Sequence, residues 1–307
     1  MLKKLFLILL AIFICAGYFI GSYFVDFALS RGNSDDPNAI PAACASIHDE
    51  SRTVPALPNF SSEILSIQSN DNLTLNATHF FPEKSTNRWA ILVHGYGRDQ
   101  RFARDYAQEY LLNNFNVLTP DLRASGTSEG KFLTMGVKES EDISLWIDKI
   151  IQENPNAQII LHGVSMGAAT VILTSEKNLP QNVKAIVEDC SYTSAYDMFC
   201  VQLDKIFGLP AFPIMNFVDI VSKIKTGSAI SDANPLAAVE NTKIPMLFIH
   251  GDADKLVPVN MMNQLFEKSK APFKEKIIFQ GAGHADSMSI DKKNYFGKIF
   301  EFCERFL

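Results

Sequence analysis

The sequence predicts an α/β domain, a mostly parallel sheet with helices on both faces. Three observations carry that expectation. Short apolar runs without polar alternation, as in residues 89–93 and 159–161, have the character of strands buried on both sides. Segments with helical spacing separate them, as crossovers between parallel strands require. Near the middle, an apolar strand runs into Gly163, Val164, Ser165, Met166 and Gly167 and then into the small residues Ala168, Ala169 and Thr170. That is a strand, a sharp turn and a helix.

The chain opens with Lys3 and Lys4 and then an uncharged stretch over residues 5–25, broken only by Gly17, Gly21 and Ser22. As a helix it would be about 31 Å long, enough to cross a bilayer core. The stretch exceeds the usual apolar region of a secretory signal, and Phe19, Ile20, Tyr23 and Phe24 stand where a small-residue cleavage site belongs. Phe13 and Ile14 are too bulky for a lipoprotein cleavage site before Cys15. Residues 1–30 are therefore expected to be an uncleaved, single-pass transmembrane anchor, with a cleaved signal peptide as the alternative. In both cases the two lysines stay cytoplasmic and the remainder is extracytoplasmic.

Residues 31–59, with Pro37, Pro41, Pro55 and Pro58, read as a linker. The domain proper spans residues 60–307. Alternation over 63–68 and 73–81 around Asn70, Asp71 and Asn72 signals a hairpin. Strands are expected over 89–93, 116–119, 159–164, 183–187, 246–249 and 276–279, and helices over 102–112, 138–152 and 293–307. The connection between Asp189 and Pro245 is too long for this rhythm. Rich in Phe and Met and broken by Pro210 and Pro213, it is expected to form a small helical cap over about 191–240, above the carboxyl ends of the strands.

Acidic residues outnumber basic ones, 34 to 28, and no basic stripe is interleaved with aromatics, which argues against a nucleic-acid partner. The 5 cysteines form no CxxC pair and none has a histidine at metal-ligand spacing, so no zinc site is indicated. Buried free thiols are preferred to a Cys190–Cys200 disulfide.

A serine hydroxyl needs a base within hydrogen-bond reach and an acid to orient that base. Ser165 has both an abutting strand and a following helix. The second GxSxG match, around Ser128, has neither and reads as a loop. Met166 opens the helix, so its backbone N–H is free to face an oxyanion. Among the histidines, His48 falls in the linker and His79 in the hairpin, while His94, His162 and His250 each precede a glycine at a strand end. His284, in the loop after the last strand, is the candidate base. Asp254, after the penultimate strand, is the candidate acid, ahead of Asp252, which could cap the turn, and Asp189.

The order Ser165, Asp254, His284, with His94 Gly95 Tyr96 Gly97, residues 121–128 and the run 250–258, resembles the α/β-hydrolases. More narrowly it resembles membrane-anchored bacterial serine hydrolases related to the serine aminopeptidase group. The resemblance implies that the Tyr96 amide completes an oxyanion hole with Met166. It implies no cofactor and no metal. Where that group often has glycine after the loop arginine, Ala124 follows Arg123, a departure that bears on loop conformation. The expected activity is hydrolysis of a small-molecule carboxylic ester, with an apolar acyl group, through an acyl-enzyme. Peptidase, amidase or thioesterase action by the same triad, and a non-catalytic tethered binding protein, are the alternatives.

Overall fold

The structure, a computed structural model, describes residues 2–31, Leu57 and 59–307. The expected linker, with Cys44 and His48, lies outside the described residues except for Arg31, Leu57 and Asn59. The elements in order are α1 (Leu2–Leu29), β1 (Ser62–Gln68), β2 (Thr74–Phe80), β3 (Arg88–Val93), α2 (Arg104–Leu112), β4 (Asn116–Pro120), α3 (Val137–Glu153), β5 (Gln158–Val164), α4 (Met166–Ser175), β6 (Val183–Asp189), α5 (Ala195–Phe207), α6 (Ala211–Thr226), α7 (Pro235–Ala238), β7 (Met246–Gly251), α8 (Val259–Lys268), β8 (Lys274–Phe279), α9 (Ser287–Ile290) and α10 (Lys292–Cys303).

The strands form one sheet in the order β1-β2-β4-β3-β5-β6-β7-β8. The β1–β2 hairpin and the β2–β4 pair are antiparallel and every pair from β4 through β3 to β8 is parallel. Alternate residues of each strand feed opposite layers. Ile91, Val93, Ile159 and Leu161 pack with α3 and α4, whereas Ala90, Leu92, Ile160 and Val164 pack with α2 and α10. Burial on both faces explains the unbroken apolar character of β3 and β5. Helix α8 is not among the sequence expectations. Pro258 precedes it, and Val259, Met262, Leu265 and Phe266 recur at helical spacing and pack on the core, a short stripe that the sequence reading passed over.

Helices α5, α6 and α7 lie between β6 and β7, in the region expected to be a cap. The final turns of α1 are built into this part of the molecule. Val25 and Leu29 are buried in the same apolar layer as α3 and α4, and Phe24 and Phe27 set ring edges against Phe207. A side chain could not stand at Gly17 or Gly21. A Cβ there would come within 2.2 Å of the Phe217 ring and 2.7 Å of the Phe217 carbonyl oxygen, so the two glycines let α6 lie directly on α1. Beyond the helix, Leu133 N–H donates to Leu29 O (2.8 Å) and Arg31 N–H to Lys131 O (2.7 Å).

Candidate active site

Ser165 sits at the junction of β5 and α4 with φ 58° and ψ −119°, a conformation that costs a non-glycine residue on the order of 1–3 kcal/mol. The surroundings hold it there. Its N–H donates to Asp189 O (2.8 Å), its carbonyl accepts from Ala169 N–H (3.1 Å), and Gly167 abuts the end of β3. A Cβ on Gly167 would stand 2.1 Å from the Val93 carbonyl oxygen, which has no room to retreat inside the β3–β5 ladder. Gly167→Ala is therefore expected to lower stability by about 3 kcal/mol, at the upper end of overpacking costs, as read by urea denaturation.

The structure brings the three predicted side chains together. Ser165 Oγ lies 2.8 Å from His284 Nε2, and His284 Nδ1 lies 2.7 Å from Asp254 Oδ2. The loops after β7 and β8 are tied to one another. Asp252 Oδ1 accepts from Gly281 N–H (2.7 Å) and Ala253 N–H donates to Ala282 O (3.0 Å). Asp252 thus serves the loop, and Asp254 faces the imidazole. Asp254 Oδ1 accepts from the N–H groups of Leu256 and Val257, both at 2.9 Å, leaving Oδ2 to His284. Burial acts to raise the Asp254 pKa, but its hydrogen bonds with His250, His284 and Val257 hold it well below the usual carboxylate range. An ionised Asp254 fixes the His284 proton on Nδ1 and leaves Nε2 to accept from Ser165.

His250 is a contact that the sequence reading assigns only to a tight turn. Its Nε2 donates to Val257 O (2.8 Å) and lies 3.3 Å from Asp254 Oδ2, so the carboxylate has an imidazole on either side. Burial pulls the His250 pKa down, but Asp254, the Val257 carbonyl and Glu188 outweigh it and raise the value above the ordinary one. The i, i+4 spacing of His250 and Asp254 across the β7 turn was the available signal.

The other described histidines, His79, His94 and His162, have structural contacts. His94 accepts from Leu122 N–H through Nε2 (3.0 Å), so its Nδ1 donates to Gly95 O (2.9 Å), and burial keeps its pKa low. It pins the strap after β3 to the loop after β4. His162 lies between Tyr110 and Tyr295, and burial pushes its pKa to about 3. Tyr295 donates in turn to Asp189 Oδ2 (2.8 Å), whose pKa burial raises to about 6. Asp189, the second-rank acid, thus ends a buried network apart from His284. His79 stacks on Trp89 with centroids 4.5 Å apart.

The two proposed oxyanion donors flank the serine. Met166 is the first residue of α4, where backbone amides lack intrahelical partners. The strap carrying Tyr96 runs close by, since a Cβ on Gly95 would stand 3.2 Å from Ser165 Cβ. The Tyr96 hydroxyl donates to Ala28 O in the last turn of α1 at 2.5 Å.

Ser128 is fully buried, donating to Asp121 O (2.7 Å) and accepting from Asn76 N–H (2.9 Å). In the same loop Arg123 pairs with Asp142 (2.7 Å) and Asp71 (2.9 Å), and Ala124 adopts the positive φ of 56° that a glycine would take more easily. Cys15, Cys190, Cys200 and Cys303 are free; Cys190 and Cys303 are buried, Cys200 is half-buried and Cys15 is exposed. Among the described residues, one group has metal-ligand proximity, Cys190 with Asp254 and His284. Burial and nearby carboxylates push the Cys190 thiol far up, which keeps it protonated and a poor ligand.

Residues 85–197 match the family model described as serine aminopeptidase, S33. The chain is 27% identical over 227 residues to YqkD of Bacillus subtilis, covering 74% of each protein. It is 28% identical over 200 residues to WAV2 of Arabidopsis thaliana, an alpha/beta hydrolase domain-containing protein, covering 62% of this chain and 61% of that one. The solved Pyrococcus furiosus esterase Pf2001 superposes with a TM-score of 0.66 at 24% identity, over 80% of this chain and 92% of the esterase. The sheet order, the elbow between β5 and α4 and these likenesses give the chain the α/β-hydrolase fold.

Proposed function

We propose that this hydrolase is a membrane-anchored serine esterase, with Ser165 as nucleophile, His284 as general base and Asp254 as the orienting acid. The observation that carries the reading is the unbroken proton chain of 2.8 Å and 2.7 Å from Ser165 through His284 to Asp254. His284 Nε2 takes the hydroxyl proton as Ser165 Oγ attacks the ester carbonyl, and the amides of Tyr96 and Met166 receive the developing oxyanion. The resulting imidazolium is stabilised by ionised Asp254 and returns its proton to the leaving alcohol. Water then enters, loses a proton to His284 and releases the carboxylic acid from the acyl-enzyme.

The serine aminopeptidase description of the matching family favours a second reading, cleavage of an amino-terminal peptide bond. That substrate needs a carboxylate open to its ammonium group. Glu188 and Asp189, at the end of β6 beside the triad, are both fully buried, and Asp189 is engaged by Tyr295, which favours the ester. A panel of p-nitrophenyl esters of graded chain length, set against aminoacyl-anilides, tests this. Short to medium acyl esters are expected to turn over and anilides scarcely at all; the opposite preference would reverse the assignment.

The membrane reading rests on α1. Its first half is apolar and exposed, and Lys3 and Lys4 precede the uncharged stretch, which favours an extracytoplasmic catalytic domain. Burial of Val25 and Leu29 and the Tyr96–Ala28 hydrogen bond favour retention of the helix over its cleavage.

A further inference from the structure

We propose that the cap is itself embedded in the membrane: α6 and the turn before it lie in the outer leaflet beside α1, with bilayer lipid covering their outer apolar face. This rests on the reading of α1 as a transmembrane anchor, and it follows from lengths. Residues 2–16 are all exposed and amount to about 22 Å of helix, whereas a hydrocarbon core is about 30 Å thick. The first charge after Lys4 is Asp26. Lys4 and Asp26 are about 33 Å apart along the helix, the separation expected for the two polar boundaries. The later part of the span, from Phe13 onward, is the part that packs on α6. If those residues are at hydrocarbon depth, so is α6.

The two helices run in the same direction. The Phe217 ring meets Phe13 at 5.3 Å and covers Gly17, Val221 packs on Gly21, and Lys225 Nζ reaches Asp26 Oδ2 at 2.6 Å. The start of α6 is therefore the deep end, and Lys223 and Lys225 stand at headgroup level, where cationic side chains are favoured. The chemistry of the helix fits that depth. Phe212, Ile220 and Ile224 are 78%, 58% and 65% exposed in one row along the helix, interrupted by a single uncharged polar side chain, Asn216, a surface that water would not favour. Asp219, the one charge in residues 211–222, is half-buried and accepts from the N–H and hydroxyl of Ser231, both at 2.8 Å. The turn before α6 is Gly208, Leu209 and Pro210, with no charge. Since Tyr96 is hydrogen-bonded to the last turn of α1, the catalytic strap lies beside the point where α1 leaves the bilayer.

The test is tryptophan fluorescence of the full-length protein in phosphatidylcholine vesicles with and without acyl-chain bromination. Phe212→Trp and Ile220→Trp probe the cap, and Ile64→Trp, on the exposed edge strand β1, is the control. Native Trp89 and Trp146 are buried and give a constant background. After vesicle flotation, F212W and I220W are expected to lose most of their added emission to brominated lipid and little to aqueous iodide, with I64W the reverse. Added emission at 212 and 220 that iodide quenches, that neither quencher reaches, or that brominated lipid quenches no more than at 64 would overturn the proposal. Failure of the wild-type protein to float would instead overturn the anchor reading, and the proposal with it.

Discussion

Ser165→Ala is expected to lower kcat for ester hydrolysis by about 10⁵- to 10⁶-fold, the scale on which removal of a triad nucleophile acts. Nothing else at the site can replace the lost oxygen, because Cys190 is held as a buried, protonated thiol. Folding should survive. Alanine must adopt the same φ of 58°, so the strain neither grows nor relaxes, and the loss is the single Oγ–His284 hydrogen bond, about 1 kcal/mol. Steady-state rates with a p-nitrophenyl ester, and the disappearance of a fluorophosphonate adduct from the folded variant, check this. Ser128→Ala provides the contrast. Its hydroxyl links Asp121 O to Asn76 N–H inside the protein, so stability should fall by about 1–3 kcal/mol while turnover per folded molecule is kept. An equal loss of turnover in both variants would show that the wrong GxSxG had been chosen.

The contrast between those serines was legible in the chain because each layer of evidence is local. An apolar run before Ser165 and small residues after it specify a strand, a turn and a helix, and glycines at 163 and 167 are demanded by the contacts each would otherwise make. His284 and Asp254 could be named because loops after parallel strands all emerge at one end of the sheet. What sequence left open depends on partners distant along the chain. The crossing that seats β4 outside β3 leaves no mark in either strand's composition. His250 looked like any histidine before a glycine, since its approach to Asp254 arises only once the β7 turn closes. The docking of α1 was hidden for another reason. An apolar helix has the same composition whether lipid or protein covers it, and only Gly17 and Gly21, one turn apart, mark the side on which α6 lies.

Asp254→Asn is expected to cost about 10⁴-fold in kcat, because it reverses the imidazole rather than removing it. The orientation of the new amide is decided by its neighbours. Leu256 and Val257 N–H both point at Oδ1, so the asparagine must keep its oxygen there and turn its NH2 toward His284. An NH2 at that position donates to His284 Nδ1, which must then be unprotonated. The ring proton moves to Nε2, and Nε2 now donates to Ser165 Oγ instead of accepting from it. The nucleophile is present but has no base. The same NH2 lies beside His250 Nε2–H, itself committed to Val257 O, so two donors face one another and stability falls by about 1–3 kcal/mol. The loss in kcat should greatly exceed any change in KM, and the rate of fluorophosphonate labelling at Ser165 should fall in parallel. Labelling of the folded variant at the wild-type rate would remove Asp254 from the proton chain.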